Sequence, residues 1–221
     1  MGLTLSPTAT AYLIVVAAVA LLRFAELAVS ARNRRAMMRD GAVPVPERNF
    51  GWMALLHTAI LGGAAAEVVW LHRPFLPALA LPALVCLVLA TWTRWWVIQT
   101  LGQLWNVGIM DSTRQGIVDT GPYRWVRHPN YTAVFVELLA LPLVHSAWIT
   151  AIAGTLAHVF VLRARIAAED RVLLADAGYV ARMGAKPRFF PTGARGAGPT
   201  SPPTRLTRPT RPTGAEGPGP T

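Results

Sequence analysis

The sequence TATAYLIVVAAVALLRFAELAVS, residues 8–30, decides the class of fold. This run reaches the length of about 20 apolar residues that a helix needs to cross the hydrocarbon core of a bilayer. Two further runs of similar length follow, at about 50–71 and 75–98. Of all residues, 53% are hydrophobic and only 14% are charged, which departs from the composition of soluble domains. The sequence therefore predicts an all-α protein that crosses the membrane several times.

Two shorter apolar runs lie further along the chain, at about 131–145 and 147–162. The first is short for a complete crossing and contains Pro142, so we expect a tilted or incompletely spanning helix. Both ends of the pair return to one side of the membrane whether or not it crosses. The chain is thus predicted to form a polytopic transmembrane helical bundle of about five membrane helices, the last two a helical hairpin.

The distribution of positive charge predicts the orientation. No positive charge precedes the first run, and four arginines follow it: Arg32, Arg34, Arg35 and Arg39. A cleaved signal peptide shows the opposite order, so we expect a retained helix with its N-terminus outside. The third run ends in an aromatic belt, Trp92 to Trp96, in which Arg94 is expected to extend towards the headgroups at the cytoplasmic face. Topology thus accounts for the net charge of +10, and no nucleic-acid partner is expected.

The remaining sequence divides into polar segments. His72-Arg73-Pro74 is the only link between the second and third runs, which predicts a tight antiparallel hairpin. Residues 99–130, interrupted by glycine and proline, predict a structured cytoplasmic segment, and residues 163–191 an amphipathic, partly helical extension at the membrane surface. From residue 192 onward Pro, Gly, Thr and Arg dominate without any aromatic residue, which predicts a disordered tail over 192–221. Residues 1–191 are therefore expected to form the membrane domain.

Polar side chains within the apolar runs are costly, by about 2.5 to 3.5 kcal/mol for a central charge on insertion scales. Arg23 and Glu26, three residues apart, predict an ion pair that holds the first helix to the bundle. Further polar residues in the apolar runs are expected to serve helix packing: His57, Glu67, Glu137 and His145. Cys86 is the only cysteine, which excludes an internal disulfide and a thiolate metal cluster, and no metal is expected.

Two clusters of polar residues could carry chemistry. The first, Gly121 to Tyr131, lies at the entrance to the fourth run, where Pro129 fits the first turn of a helix and so places His128 and Tyr131 at the mouth of the bundle. Composition alone also permits an interfacial anchor of basic and aromatic residues. The second cluster follows the last run: Arg163, Arg165, Glu169, Asp170 and Arg171. Both clusters flank one helical hairpin, so we expect them to meet in a polar pocket at the membrane surface.

On a helix Arg165 and Glu169 share one face, and taken alone they indicate a surface ion pair. In combination the two clusters resemble the isoprenylcysteine carboxyl methyltransferase family and its wider bacterial relatives. The resemblance extends from about Leu101 to Pro191. Its elements are Gly121 to Tyr123, Arg127 to Tyr131, Arg165 to Glu169, Gly178-Tyr179 and Phe190-Pro191. The chain departs from the family pattern at Gln115, often His in eukaryotic members, and at Glu169-Asp170, where the family has two Glu.

The resemblance implies a site for S-adenosylmethionine within residues 101–191. The residues that it places on the cofactor are Gln115, Gly116, Ile117, Val118, Tyr123, His128, Pro129, Asn130, Tyr131 and Glu169. It also implies that Arg165 binds the acceptor and that Arg165, Glu169 and Tyr131 serve catalysis. Methyl transfer from a sulfonium is an in-line displacement that depends on alignment and on exclusion of water. A phenol or enol acceptor would also need a base, for which Glu169 and His128 are both candidates.

A pocket at the cytoplasmic surface of a bacterial cell membrane suits a lipophilic acceptor that enters from the bilayer lipid. The bacterial relatives that the chain resembles include methyltransferases of alkylresorcinols and alkylpyrones, so the resemblance implies a carboxylate or a phenol or enol hydroxyl as the acceptor. A phospholipid N-methyltransferase is an alternative, although an amine should be faced by carboxylates rather than by Arg165. A non-catalytic membrane scaffold or small transporter, with an intramembrane polar network, is a second alternative.

Overall fold

The computed structural model describes residues 5–47 and 50–191, which form six α-helices and one small β-ribbon. The helices are α1 (Pro7–Arg39), α2 (Phe50–Trp70), α3 (Pro77–Leu101), α4 (Pro129–Leu143), α5 (Trp148–Leu173) and α6 (Ala177–Met183). Helices α1, α2, α3 and α5 are long and apolar enough to cross a membrane. The predicted all-α, polytopic bundle is confirmed. The tail predicted to be disordered, 192–221, lies outside the described residues.

Helix α4 is short, as its sequence predicts. Its 15 residues span about 22 Å, less than the roughly 30 Å of a bilayer core. The turn that follows it contains His145 and Ser146, which are only 2% and 1% exposed. Tyr12 of α1 and Phe75 of the α2–α3 link pack against the ring of His145. The protein itself thus covers the polar turn, so α4 need not reach the far surface of the membrane.

The link between α2 and α3, residues 71–76, is short but longer than the three residues predicted, because α2 ends at Trp70 and α3 begins only at Pro77. His72 in this link adopts a positive φ of 47°. The two helices nevertheless diverge from this link instead of packing as a pair. Helix α3 packs mainly against α4, whereas α2 packs mainly against α5. The α4–α5 hairpin therefore separates α2 from α3.

Two elements differ from the sequence prediction in extent. Helix α5 continues unbroken to Leu173, so residues 163–173 belong to the helix of the last apolar run and not to a separate element. This stretch has no glycine or proline and is rich in good helix formers. In addition, β1 (Val43–Pro44) pairs antiparallel with β2 (Met110–Asp111), which the sequence did not indicate. The ribbon fastens the α1–α2 link to the segment between α3 and α4.

Glu67 of α2 anchors the start of α5, in agreement with its predicted packing role. One carboxylate oxygen accepts hydrogen bonds from the Thr150 backbone N–H and hydroxyl, both at 2.7 Å. The other accepts from the Ile149 N–H at 3.0 Å and lies 2.8 Å from Arg73. A helix N-terminus leaves such N–H groups without intrahelical partners and favours negative charge. Glu67 therefore caps α5 from a neighbouring helix.

Four charged side chains form an ionic cluster inside the bundle: Arg23 and Glu26 of α1, Arg94 of α3 and Glu137 of α4. The predicted Arg23–Glu26 pair is confirmed at 2.9 Å. Glu26 also lies 2.6 Å from Arg94, and Arg23 lies 3.6 Å from Glu137. The charges balance within the cluster, which offsets part of the cost of burying them. The cluster joins α1 to both α3 and α4.

The position of Arg94 contradicts the prediction that it extends towards the headgroups. Its side chain is buried, with 7% of the residue exposed, whereas Trp92 and Trp95 are 53% and 57% exposed. Neighbouring helical positions face different directions because the α-helix has about 3.6 residues per turn. The two tryptophans thus form the expected lipid-facing belt, and Arg94 points into the bundle instead.

Helices α2 and α5 approach closely at small residues, and this predicts a stability effect. A Cβ atom at Gly154 would lie 2.7 Å from Cγ1 of Ile60. We therefore expect Gly154→Leu to force the helices apart and to cost about 1 to 3 kcal/mol, seen as a lower Tm in detergent. Gly62→Ala is the control, because a Cβ atom there meets nothing within 4 Å. An unchanged Tm in the Gly154 variant would contradict this packing.

Candidate active site

The C-terminal end of α1 holds the segment that follows α3. The Asn33 side chain donates to the carbonyl oxygens of Gly102 at 3.0 Å and Trp105 at 2.8 Å. One turn earlier, the Ser30 hydroxyl accepts a hydrogen bond from the Val107 N–H at 2.8 Å. These bonds satisfy backbone groups of an irregular segment that would otherwise be buried without partners. The extension of α1 beyond its apolar run therefore positions the wall of the site.

Gly121 starts the first predicted cluster against α3. Its φ is +55°, and a Cβ atom at this position would lie 2.5 Å from the Thr100 hydroxyl oxygen. Only glycine tolerates both the left-handed conformation and this close approach. The residue thus sets the turn that directs Tyr123 towards the site.

Asp170 holds the first predicted cluster in place. One of its oxygens lies 2.8 Å from His128 Nε2, and the other accepts from Arg188 Nε at 2.9 Å. The backbone N–H groups of Arg127 and His128 donate to the carbonyls of Pro187 and Arg188, both at 2.9 Å. Asp170 is only 4% exposed, so these charge-assisted bonds are formed away from bulk water. They lock the turn before α4, the end of α5 and the segment after α6 together.

Tyr131 links the two predicted clusters. Pro129 is the first residue of α4, as predicted, and Tyr131 lies in the first turn of that helix. Its hydroxyl accepts a hydrogen bond from Arg165 Nε at 2.9 Å and donates one to Glu169. Arg165 and Glu169 are thus connected through Tyr131 rather than by the direct surface ion pair that spacing alone suggests.

Arg165 is buried, and two other segments complete its hydrogen bonding. Its Nη1 lies 2.6 Å from a carboxylate oxygen of Glu47, and its Nη2 donates to the carbonyl of Val107. The second oxygen of Glu47 accepts from the Ile109 N–H at 2.5 Å. The β1–β2 ribbon lies next to these contacts and holds Glu47 at this position. Glu47 was not predicted, because it lies in a proline-rich link that carries no recognisable pattern.

The polar groups surround a cavity of about 500 Å³, within the usual range for ligand pockets. Nine of the predicted site residues line it: Gly116, Ile117, Val118, Tyr123, His128, Asn130, Tyr131, Arg165 and Glu169. Gln115 instead donates from its side chain to the Met37 carbonyl at 2.8 Å, and Gln115 and Pro129 lie outside the lining. Sequence reasoning also missed Asn106, whose buried Oδ1 lines the cavity without a partner among the described residues.

Comparison with known proteins identifies the family. The model of the isoprenylcysteine carboxyl methyltransferase family matches residues 83–175. An uncharacterized protein, YpbQ, of Bacillus subtilis is 31% identical over 152 residues, covering 68% of this chain and 89% of the relative. An uncharacterized protein of Haemophilus influenzae is 28% identical over 153 residues, covering 69% and 88%. The chain belongs to the isoprenylcysteine carboxyl methyltransferase family.

Membership in this family identifies an integral membrane methyltransferase of a family that depends on S-adenosylmethionine. The predicted resemblance to this family is therefore confirmed. The match begins earlier than expected, within α3, and ends at residue 175, so the predicted elements Gly178-Tyr179 and Phe190-Pro191 lie outside it. The interpretation as a non-catalytic scaffold or transporter is correspondingly disfavoured. That interpretation assigns an intramembrane polar network to Arg23, Glu26, Glu67 and Glu137. In the structure Arg23, Glu26 and Glu137 belong to the ionic cluster that joins three helices, whereas Glu67 caps α5.

The end of the cavity around Tyr131 and Glu169 has a lining of mixed apolar and polar groups. Ile117 and Val118 offer apolar contact for a flat base, while Asn106 and Glu169 offer oxygen acceptors for its polar groups. Burial, and then the nearby Glu169 carboxylate, raises the pKa of Tyr179 to about 12. Burial and the same carboxylate also raise the pKa of Tyr123. Both tyrosines therefore stay protonated at neutral pH, as hydrogen-bond donors and not as bases.

Removal of the Asp170 charge should weaken cofactor binding. Asp170→Asn removes the carboxylate charge that Arg127 and Arg188 face, and it replaces the carboxylate partner of His128 with an amide. The turn before α4 then loses its fixed position. We expect the affinity for S-adenosylmethionine, measured by calorimetry in nanodiscs, to fall at least about tenfold. Asp40→Asn, at the exposed end of α1, is the matched control and should bind as the unaltered protein does. Equal affinity in both variants would show that this anchoring is dispensable.

Proposed function

We propose that the protein transfers a methyl group from S-adenosylmethionine to an oxygen atom of a lipophilic acceptor at the membrane surface. The observation that carries this proposal is the connection of Arg165, Tyr131 and Glu169 on the wall of one cavity. The cofactor, when bound, supplies an electrophilic methyl group. The protein's part is to hold the acceptor oxygen in line with that group and to exclude water.

A hydroxyl acceptor fits the contacts of Arg165 better than a carboxylate does. The guanidinium already binds Glu47, the Val107 carbonyl and the Tyr131 hydroxyl. An acceptor carboxylate would have to compete with Glu47, which is itself held by a second hydrogen bond. A hydroxyl carries no such charge and needs a base instead. We therefore favour a phenol or enol oxygen as the atom that is methylated.

Glu169 is the better placed of the two candidate bases. His128 is 3% exposed, and its Nε2 is already engaged by Asp170. Glu169 lines the cavity and is hydrogen bonded to the Tyr131 hydroxyl, which Arg165 polarises. In the proposed step the acceptor O–H bond breaks, its proton moves to Glu169, and the oxygen forms the new bond to the methyl carbon as the sulfur–carbon bond breaks. Arg165 then acts chiefly by positioning Tyr131 and Glu169.

The membrane-facing part of the cavity supports an amphiphilic acceptor. Its lining between α1 and α2 is apolar and includes Phe24, Leu27, Phe50, Met53 and Leu61. An aromatic or enolic ring near Glu169 with a long alkyl chain along these residues matches an alkylresorcinol or alkylpyrone. This class of lipid is our proposed acceptor. The membrane lipid itself is the route by which such a molecule enters.

One observation favours a second candidate. Two carboxylates, Glu47 and Glu169, lie within the contacts of Arg165 and Tyr131, and an amine acceptor requires such groups. Phospholipid N-methylation is therefore the alternative. It is distinguished by the product, because label would then appear in phospholipid headgroups and not in a phenolic lipid.

The role of Glu169 gives a direct test with labelled S-adenosylmethionine. Glu169→Gln keeps the shape of the side chain but removes the base, so kcat for an alkylresorcinol should fall by about a hundredfold or more. A fatty acid is already ionised and needs no base, so its kcat, if it is methylated at all, should not fall in Glu169→Gln. Product is measured as label in the organic phase.

Arg171→Gln serves as the matched control, since Arg171 is an exposed residue of the same helix outside the cavity lining. It should leave kcat unchanged. Full activity of the Glu169 variant on the resorcinol would rule out this residue as the base. Label in phosphatidylethanolamine derivatives alone would favour the N-methyltransferase.

The charge distribution supports a cytoplasmic site in a bacterial cell membrane. The links and the C-terminal segment on the side of the cavity carry many cations, whereas the links on the opposite side carry only Arg73. In a Cys86→Ala background, we expect His72→Cys to react with an impermeant maleimide in intact spheroplasts. Arg114→Cys should react only after permeabilisation. Both replaced residues are exposed, so the reverse pattern would invert the proposed orientation.

A further inference from the structure

One face of α5 forms a continuous wall of the cavity. Four residues, spaced by four, three and four positions, lie on this face and line the cavity: His158, Leu162, Arg165 and Glu169. His158 and Arg165 are seven positions apart, which corresponds to about 10 Å along the helix axis. The cavity thus extends from the proposed methyl-transfer site at Arg165 to a histidine that lies deeper in the membrane-spanning part.

His158 pairs there with His57 of α2. Their ring centroids are 5.3 Å apart with an interplanar angle of 48°. His158 is 1% exposed, and neither of its ring nitrogens has a hydrogen-bond partner among the described residues. The same holds for Nε2 of His57, and both histidines line the cavity. Phe135 of α4 lies 6.4 Å from the His158 ring, centroid to centroid.

Unpartnered polar atoms at this depth are costly and require a reason. A buried donor or acceptor without a partner costs about 1 to 3 kcal/mol, and lipid offers no hydrogen bonds in exchange. A neutral imidazole presents one N–H donor and one acceptor nitrogen. The nearby ionic cluster differs, because Arg23, Glu26 and Arg94 already pair with one another. Among the described residues that line this part of the cavity, Nε of Arg23 also lacks a hydrogen-bond partner, but its guanidinium is held in the ionic cluster. The two histidines are therefore the uncharged side chains here whose nitrogens are available to a ligand.

We propose that His57 and His158 form a second polar subsite, which binds a hydroxyl or carbonyl oxygen on the acceptor about 10 Å from the oxygen that is methylated. This inference rests on the proposed function and narrows its substrate class. The acceptor is then an amphiphile whose chain carries its own oxygen, and a plain saturated chain is the poorer substrate. A neutral oxygen suits the pair, since each ring can remain neutral while it donates or accepts one hydrogen bond.

The test compares 5-alkylresorcinols of one chain length, either plain or with a single keto group at different positions along the chain. The unaltered protein should show the highest kcat/KM for the compound whose keto group lies about 10 Å from a ring hydroxyl, by about tenfold over the plain lipid. In His158→Phe and His57→Phe, which keep aromatic rings, this ratio should fall to about one. His158→Asn keeps a donor and an acceptor and should restore part of the preference.

His145→Phe is the matched control, because His145 is equally buried but lies at the opposite side of the bundle, outside the cavity lining. It should keep the full preference. A second measurement is independent of methyl transfer: NMR of ¹³C-labelled histidine in nanodiscs, with resonances assigned from the His→Phe variants. The keto compound should shift the His57 and His158 signals, and the plain compound should not.

The outcomes separate the two proposals. Methyl transfer without any preference for the keto compounds, together with unchanged histidine signals, would overturn the subsite and leave the proposed function standing. Shifted histidine signals without methyl transfer to any resorcinol would support the subsite and overturn the proposed acceptor. Loss of preference in His145→Phe to the same degree would show that the effect is not specific to the cavity, and so would also overturn the subsite.

Discussion

The buried guanidinium of Arg165 is the constraint on which the half of the protein that contains the polar site depends. An arginine taken out of water costs several kcal/mol unless its charge and its donors are satisfied. Three separate segments supply the hydrogen-bond partners of the guanidinium: Tyr131 from α4, Glu47 from the α1–α2 link and the Val107 carbonyl from the segment after α3. Because these segments are distant in sequence, satisfying one side chain brings the whole site together. The β1–β2 ribbon and the hydrogen bonds from α1 then fix the positions of the segments.

The membrane half solves the opposite problem, which is to keep a space open among packed helices. Helices α2 and α3 diverge from their short link because α4 and α5 lie between them. Glu67 fixes the start of α5, and the balanced ionic cluster holds α1 against α3 and α4. Packing alone is a weak driving force between helices in lipid, so such polar contacts contribute strongly to their arrangement. They fix the helices around the cavity without filling it.

Much of this could be predicted from the sequence, because the signals are local. Hydrophobic run length gives the spans, Pro129 gives the start of α4, and helical spacing places Arg165 and Glu169 on one face. The meeting of the two clusters follows from the hairpin between them. The part that could not be predicted depends on helix rotation and long-range pairing. Arg94 turns inward because its neighbouring tryptophans face lipid, Gln115 turns towards Met37, and Glu47 acquires its role only through a ribbon of two short strands.

The two halves of the cavity therefore impose different degrees of constraint on a ligand. At the polar end, His128, Tyr131 and Arg165 are each engaged by side chains or backbone from other segments, so a change in one position disturbs several others. At the membrane end the lining residues are mostly apolar and contact one another only by packing, which tolerates substitution of similar volume. A site built in this way can keep one methyl-transfer chemistry while the membrane end is altered to accept different lipids. Arg23, Glu26 and Arg94 also line the cavity there but are held in ion pairs, whereas the His57–His158 pair has unpartnered nitrogens and is the proposed feature by which one acceptor can be distinguished from another.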